Sequence, residues 1–427
     1  MQIFQNDILN EKYFSHKHSS GLKIYLCPKK DFQSYFAIIG TKYGSINRNF
    51  RLNSQLIETP AGIAHFLEHK LFECKNGDAF NLFSKLGASA NAYTSYEKTA
   101  YLFSCTDNFK KSLKILLDFV QEPYFTQEGV LKERGIIEQE IKMYSDSPEW
   151  QVNLNLLRAI YKNHPVREDI AGSVESISHI TPDLLNKCYE AFYDFSNMTF
   201  CLVGNFEPDD IIEFIDKNIT KKAAKAHVEP IFPNEPDEIC EPSISQKMEV
   251  ITPLFAVGFK HKMPKERMSC QDFVATELIL QTLMLKSGSL YNKLLNKNLI
   301  TTNSFEHELL EGPFYASSTF SGESKNPDEV AKVIFDEIDN ICQKGIDEKQ
   351  FERAKKCYYA EVVSVFNRVS SIGNNLLDLD FAGYNIFELI KSIQNMSFET
   401  CSSKLNGQFD SNKKVISKII SGNTKKV

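Results

Sequence analysis

Short apolar runs rich in β-branched and aromatic residues mark strands at 22–26 and 35–46. A helix is predicted at 61–73, followed by strands at 88–94 and 100–105 and helices at 109–121 and 126–145. Further helix leads to a strand at 198–203 and a helix at 209–218. The second half runs through the same order: strands at 247–251 and 254–260, a helix at 269–285, strands at 302–309 and 314–320, and long helices at 327–344 and 347–367. Two tandem homologous copies of one mixed unit, each a sheet packed with helices, account for this most simply and make the chain α+β. Between them, the segment 223–245 holds four prolines in HVEPIFPNEPDEICEPS, which break any long element. The boundary is therefore expected near residue 228, giving units at 1–228 and 229–427.

Composition narrows the class without naming a function. The chain has 427 residues, 42% hydrophobic and 24% charged, as ordinary globular proteins have. Its formal net charge of -6 is spread over both signs, with no basic block to suggest nucleic acid and no acidic tail. Mean hydropathy is -0.30, and no long apolar run suggests a membrane span. The opening MQIFQNDILNEKYFSHKHSS lacks the apolar core of a signal peptide. The 10 cysteines form no CxxC pair, and several lie in apolar stretches, such as Cys105 and Cys201. Reduced, buried cysteines and a cytoplasmic location are expected.

The chemistry concentrates in AGIAHFLEHKLFE, which contains His65-Phe66-Leu67-Glu68-His69. Residues four apart on a helix share a face, so His65 and His69 can aim at one metal ion, with Glu68 on the same side. This is H-x-x-E-H, the inverted order of the H-E-x-x-H zinc signature, and it is specific in a chain with only 9 histidines. A second helix carries Glu133 and Glu140, seven residues apart and so on one face. Catalytic zinc takes three protein ligands and keeps one position open. Two histidines and one glutamate would complete such a set. The same set would also suit a non-haem iron oxygenase, but that chemistry has no need of a base at Glu68.

These residues resemble the pitrilysin and insulysin metallopeptidases, the inverzincins. The resemblance spans nearly the whole chain, through GIAHFLEH, GASANAYTSYEKTAYLFS, the helix containing ERGIIEQEIKM, HPVREDIAGSVESI and SNMTFCLVGNF. It is nearest to a bacterial single-unit subgroup associated with the 5-aminopentanol modification of elongation factor P. It implies one zinc ion per chain, held by His65, His69 and Glu140. Glu133 would support the site from behind the ligands, and Glu68 would be the general base that takes a proton from water and passes it to the leaving amine. It also implies that the strand with Ala90, Asn91 and Ala92 accepts a peptide substrate by strand addition.

The second half lacks the motif. Aligning Phe125-Thr126 with Ile346-Asp347 sets Glu361 opposite Glu140 and Ala354 opposite Glu133, and no histidine stands where His65 and His69 would fall. It is read as a degenerate copy that walls the substrate chamber. Leu295 replaces the family's substrate-contacting Arg, and Thr301 or Thr302 its Tyr, which weakens the transfer of those contacts. A chain of two units resembles the short family members, which pair. A heterodimer with a related subunit lacking the zinc motif is expected, or else a homodimer, without nucleic acid or membrane. The alternative function is a non-catalytic scaffold subunit. His164 and His179 lie at turn and helix-start signals without ligand spacing, Trp150 is expected to pack, and His16 and His18 are expected to be solvated.

Overall fold

Two strands with every residue buried anchor two sheets: Met198–Gly204 in one and Leu254–Lys260 in the other. Continuous apolar runs of this kind arise where a sheet is covered on both faces. The structure is a computed structural model and describes residues 1–75, 77–220, 227–262, 267–301 and 304–422. It confirms the α+β class with two mixed units.

The first unit comprises residues 1–141, 169–232 and 364–387. Its seven-stranded sheet runs in the order Gln2–Asn6, Glu11–Lys17, Lys23–Pro28, Met198–Gly204, Tyr35–Thr41, Thr99–Cys105, Ser89–Thr94. The pairing of Met198–Gly204 with Lys23–Pro28 is parallel and the others are antiparallel. One sheet face, with Ile24, Leu26, Ala37, Ile39, Tyr101 and Phe103, joins a large core that includes the helix Ile63–Leu71. The helix Val369–Ala382 packs on the strands Met198–Gly204 and Tyr35–Thr41. Close approach needs small residues here: a Cβ on Gly40 would lie 2.8 Å from Leu377, and one on Gly373 2.5 Å from Phe36.

The second unit comprises residues 142–168, 233–363 and 388–427. Its five-stranded sheet runs Ser243–Met248, Lys414–Ser421, Leu254–Lys260, Tyr315–Glu323, Phe305–Gly312. The helix Pro148–Ile160 packs on Leu254–Lys260 and Lys414–Ser421. Each unit is thus completed by a helix from the other half of the sequence. The units therefore depart from a single cut near residue 228, and the expected linker contains the strand Val228–Ile231, which pairs with Asn49–Leu52 in the first unit.

Several expectations shift in detail. The helix predicted at 347–367 ends at Ser364 and passes into a 3-10 turn, and the strand predicted at 247–251 is Ser243–Met248. The strand at 302–309 is observed as Phe305–Gly312, with its predicted start and Thr302 outside the described residues. His18 is not solvated: it is 7% exposed, its Nδ1 lies 2.7 Å from Ser20 Oγ, and its Nε2 lies 2.9 Å from Asp216. A tight turn folds it back onto the unit, which proximity to the terminus in sequence does not show. The 10 cysteines are free, but Cys240 and Cys357 are exposed. Trp150 packs as expected, stacked on Tyr144 at 4.6 Å.

Candidate metal centre

The helix Ile63–Leu71 carries the motif and buries eight of its nine residues. Ile63, Phe66, Leu67 and Leu71 enter the core, which turns His65, Glu68 and His69 to the opposite side. Its start is fixed by Gly62, which has φ +89°, and a Cβ there would lie 2.3 Å from the Ala171 carbonyl oxygen. Only glycine meets both demands without strain. Ser176 Oγ donates to the Ala61 carbonyl at 2.8 Å and ties down the same turn.

The helix Gln127–Ser145 brings up the distant glutamates. Glu140 Oε1 lies 3.7 Å from His65 Nε2, and Glu140 Oε2 lies 3.5 Å from His69 Nε2. Both exceed ordinary hydrogen-bond lengths. They match instead the separation of about 3.4 Å that tetrahedral angles and metal–ligand bonds of about 2.0–2.1 Å impose. The imidazole centroids are 4.6 Å apart, and one ligand atom from each of His65, His69 and Glu140 lies within 4.8 Å of the others. Among the described residues no other group of three or more His, Cys, Asp or Glu meets this test. Nitrogen, nitrogen and carboxylate oxygen form a donor set that fits zinc.

The surroundings orient these groups. His69 Nδ1 donates to Glu133 Oε1 at 3.1 Å, because an ionised carboxylate can only accept. That bond leaves the Nε2 lone pair facing Glu140. Glu133 thus contacts His69 at Nδ1, the ring nitrogen not directed at Glu140. Glu68 is buried beside these groups and receives a hydrogen bond from Thr94 Oγ1 at 2.6 Å. Thr94 enters the strand prediction only as its last residue. Its reach to Glu68 depends on helix-on-strand packing, for which the sequence holds no local signal.

Burial pulls the His65 pKa down to about 3, with help from the neighbouring His69, so His65 is neutral and free to bind metal. Burial also acts on His69, but the Glu133 hydrogen bond and the Glu68 and Glu140 charges outweigh it and hold its pKa above the usual value. Burial pushes the Glu68 carboxyl up, and the Thr94 hydrogen bond opposes this. For Glu133 burial is again the largest influence and upward, yet the bond to His69 and the charges of His69, Lys70 and Lys132 bring its pKa below normal.

Ala90, Asn91 and Ala92 lie on Ser89–Thr94, the last strand of the seven-stranded sheet, which pairs only with Thr99–Cys105 among the described residues. Ala90 and Ala92 pack toward the core and Asn91 is exposed. In the second unit, the helix Cys270–Met284 holds Glu277 and Gln281 four residues apart. Here direct hydrogen bonds join the polar groups: His307 Nε2 to Glu277 at 2.8 Å, and Gln281 Nε2 to Glu361 at 3.4 Å. Ala354 is fully buried.

Fold and site together define a two-unit protein with a candidate metal centre in its first unit. Residues 56–174 match the family model Insulinase (Peptidase family M16), and residues 179–358 match Peptidase M16 inactive domain. The chain is 37% identical over 423 residues to the uncharacterized zinc protease YmfH of Bacillus subtilis (strain 168), covering 96% of this chain and 97% of that one. Its fold superposes on the crystal structure of an M16-like peptidase from Alicyclobacillus acidocaldarius with a TM-score of 0.93 and 32% identity, over 96% and 98% of the two chains. A protease from Helicobacter pylori shares the fold at a TM-score of 0.81 and 19% identity, over 96% and 100%. The chain belongs to peptidase family M16, the pitrilysin and insulysin family, as its motifs led us to expect. No helix among the described residues is long and apolar enough to cross a membrane.

Proposed function

We propose that the protein is a zinc-dependent endopeptidase in which His65, His69 and Glu140 hold one metal ion and Glu68 is the general base. The observation that carries this reading is the convergence of the three donor groups within 4.8 Å, at spacings that suit a shared cation better than direct hydrogen bonds. Zinc held there supplies a Lewis acid that lowers the pKa of a water to roughly 7 and polarises a carbonyl. Glu68, buried and adjacent, takes the proton from the attacking water and returns it to the leaving amine. Glu133 keeps the Nε2 face of His69 turned to the metal position. The backbone of Ala90, Asn91 and Ala92, on a strand paired along one side, takes an extended peptide as an added strand.

Replacing Glu68 by Gln keeps the shape of the side chain and removes the base. The variant is expected to bind zinc like the parent and to lose at least about 100-fold in kcat on a fluorogenic peptide. Peptide cleavage at the parent rate by Glu68→Gln would overturn the assignment.

A scaffold subunit without catalysis would keep the fold but has no use for the donor set or for Glu68. In the second unit Glu277, Gln281, His307 and Glu361 hydrogen-bond directly, which supports a unit that holds no metal of its own. By likeness to two-unit members, the working form is a dimer, with a related subunit lacking the motif or with a second copy. Light scattering on the native complex, which gives its mass, tests this, and a monomer would contradict it. Ten unpaired cysteines support a cytoplasmic setting. Recovery of the native protein from a secreted or periplasmic fraction would contradict that location.

A further inference from the structure

We propose that Thr94 is the positioning residue for Glu68: it pins Oε2 and leaves Oε1 as the oxygen that takes the proton. The inference rests on the peptidase reading and adds a residue to it.

The hydrogen count gives the direction. Thr94 Oγ1 lies 2.6 Å from Glu68 Oε2 and 3.3 Å from Thr99 Oγ1. Thr99 Oγ1 donates its one proton to the Tyr43 carbonyl at 2.9 Å. An ionised Glu68 has no proton to give. The Thr94 proton therefore goes to Glu68 Oε2, and among the described residues this is the only hydrogen bond the Glu68 carboxyl makes. A charge-assisted bond of this length fixes the plane of a carboxylate. Oε1 stays unengaged and available to water.

Thr94 is well placed for the task. It ends Ser89–Thr94 and is paired in the ladder with Thr99, which is fully buried. Its β-branched side chain is stiff at χ1. The other acceptor within reach, Thr99 Oγ1, is neutral and farther, at 3.3 Å, so the Thr94 hydroxyl points to the Glu68 carboxylate. The same strand carries Ala90, Asn91 and Ala92, so the base is held by the element assigned to bind the peptide. Binding edge and base then share one rigid support.

The test uses the zinc-loaded full chain with Thr94→Val and Thr94→Ser. Valine keeps the shape and removes the donor. It is expected to retain zinc, leave KM unchanged and lower kcat by about 10–100-fold, the worth of one hydrogen bond to a charged group. Serine restores most of the rate. Parental kcat in Thr94→Val, or an equal loss in Thr94→Ser, would overturn the inference. A crystal structure of the zinc-loaded parent gives a readout independent of turnover. Glu68 Oε2 within hydrogen-bond reach of Thr94 Oγ1 supports the assignment, and a carboxylate turned away from Thr94 rejects it. A parent that loads zinc and cleaves no peptide would overturn the peptidase reading, while the crystal still decides the role of Thr94.

Discussion

His65 and His69 sit one helical turn apart, yet their proton affinities shift in opposite directions. Burial dominates at His65, which meets no carboxylate at hydrogen-bond distance, and its Nδ1 finds no partner among the described residues. Glu133 outweighs burial at His69. The i, i+4 spacing of these histidines and the seven-residue spacing of Glu133 and Glu140 were legible in the sequence because helical periodicity dictates them. Which oxygen meets which nitrogen, and the hold of Thr94 on Glu68, depend on packing between helices and an edge strand. His164, set aside for want of ligand spacing, has a structural role. Its Nδ1 accepts from the Val166 backbone N–H at 3.2 Å, while Nε2 donates to the Pro313 carbonyl at 3.1 Å, which requires the neutral ring. Burial depresses its pKa to about 4. The unfolded chain, with a histidine near pH 6.5, takes up the proton first as pH falls. Stability from this site is thus complete above pH 6.5 and is lost on descending to about 4, in total on the order of 3 kcal/mol. Denaturant midpoints measured from pH 7.5 to 4 are expected to fall less steeply for His164→Gln than for the parent, and equal slopes would contradict this.

At the scale of elements, strong apolar periodicity set the limits of several helices and strands. Phe109–Gln121, Leu254–Lys260 and Pro327–Lys344 were read with the boundaries observed. The polar strands Gln2–Asn6 and Glu11–Lys17 escaped, since only one of their residues is fully buried and their pattern is weak. Hydrophobic pattern shows that a helix face is buried but not against what, so the destinations of Pro148–Ile160 and Val369–Ala382 could not be read. Polar anchors fix both. In the first unit the Asp380 carboxylate pairs with Lys23 and accepts from Tyr25 Oη at 3.0 Å and Thr199 Oγ1 at 2.6 Å. In the second, Glu235 pairs with Lys260 and accepts from the backbone N–H of Lys162, Asn163 and His164 at 3.0, 2.6 and 2.8 Å. Asp380→Ala leaves two hydroxyls without their acceptor and is expected to cost about 2–4 kcal/mol in chemical denaturation. A loss below about 0.5 kcal/mol would place the helix under apolar control alone.

For the whole molecule, the α+β class and the repeat were legible because both halves present the same order of strands and helices. The exchange of a helix between halves was not, since it leaves no mark on element order. The halves differ in the chemistry they carry. The first gathers two imidazoles and a carboxylate around a common point, and in the second Glu277, Gln281 and His307 bond directly to one another and to Glu361. Metal should therefore load at one site per chain. Anomalous diffraction at the zinc edge from crystals of the zinc-loaded protein tests this most directly. The account predicts a single strong peak about 2.0–2.2 Å from His65 Nε2, His69 Nε2 and a Glu140 oxygen. A zinc-saturated, folded sample with no peak at that point, or with its peak elsewhere, would contradict it.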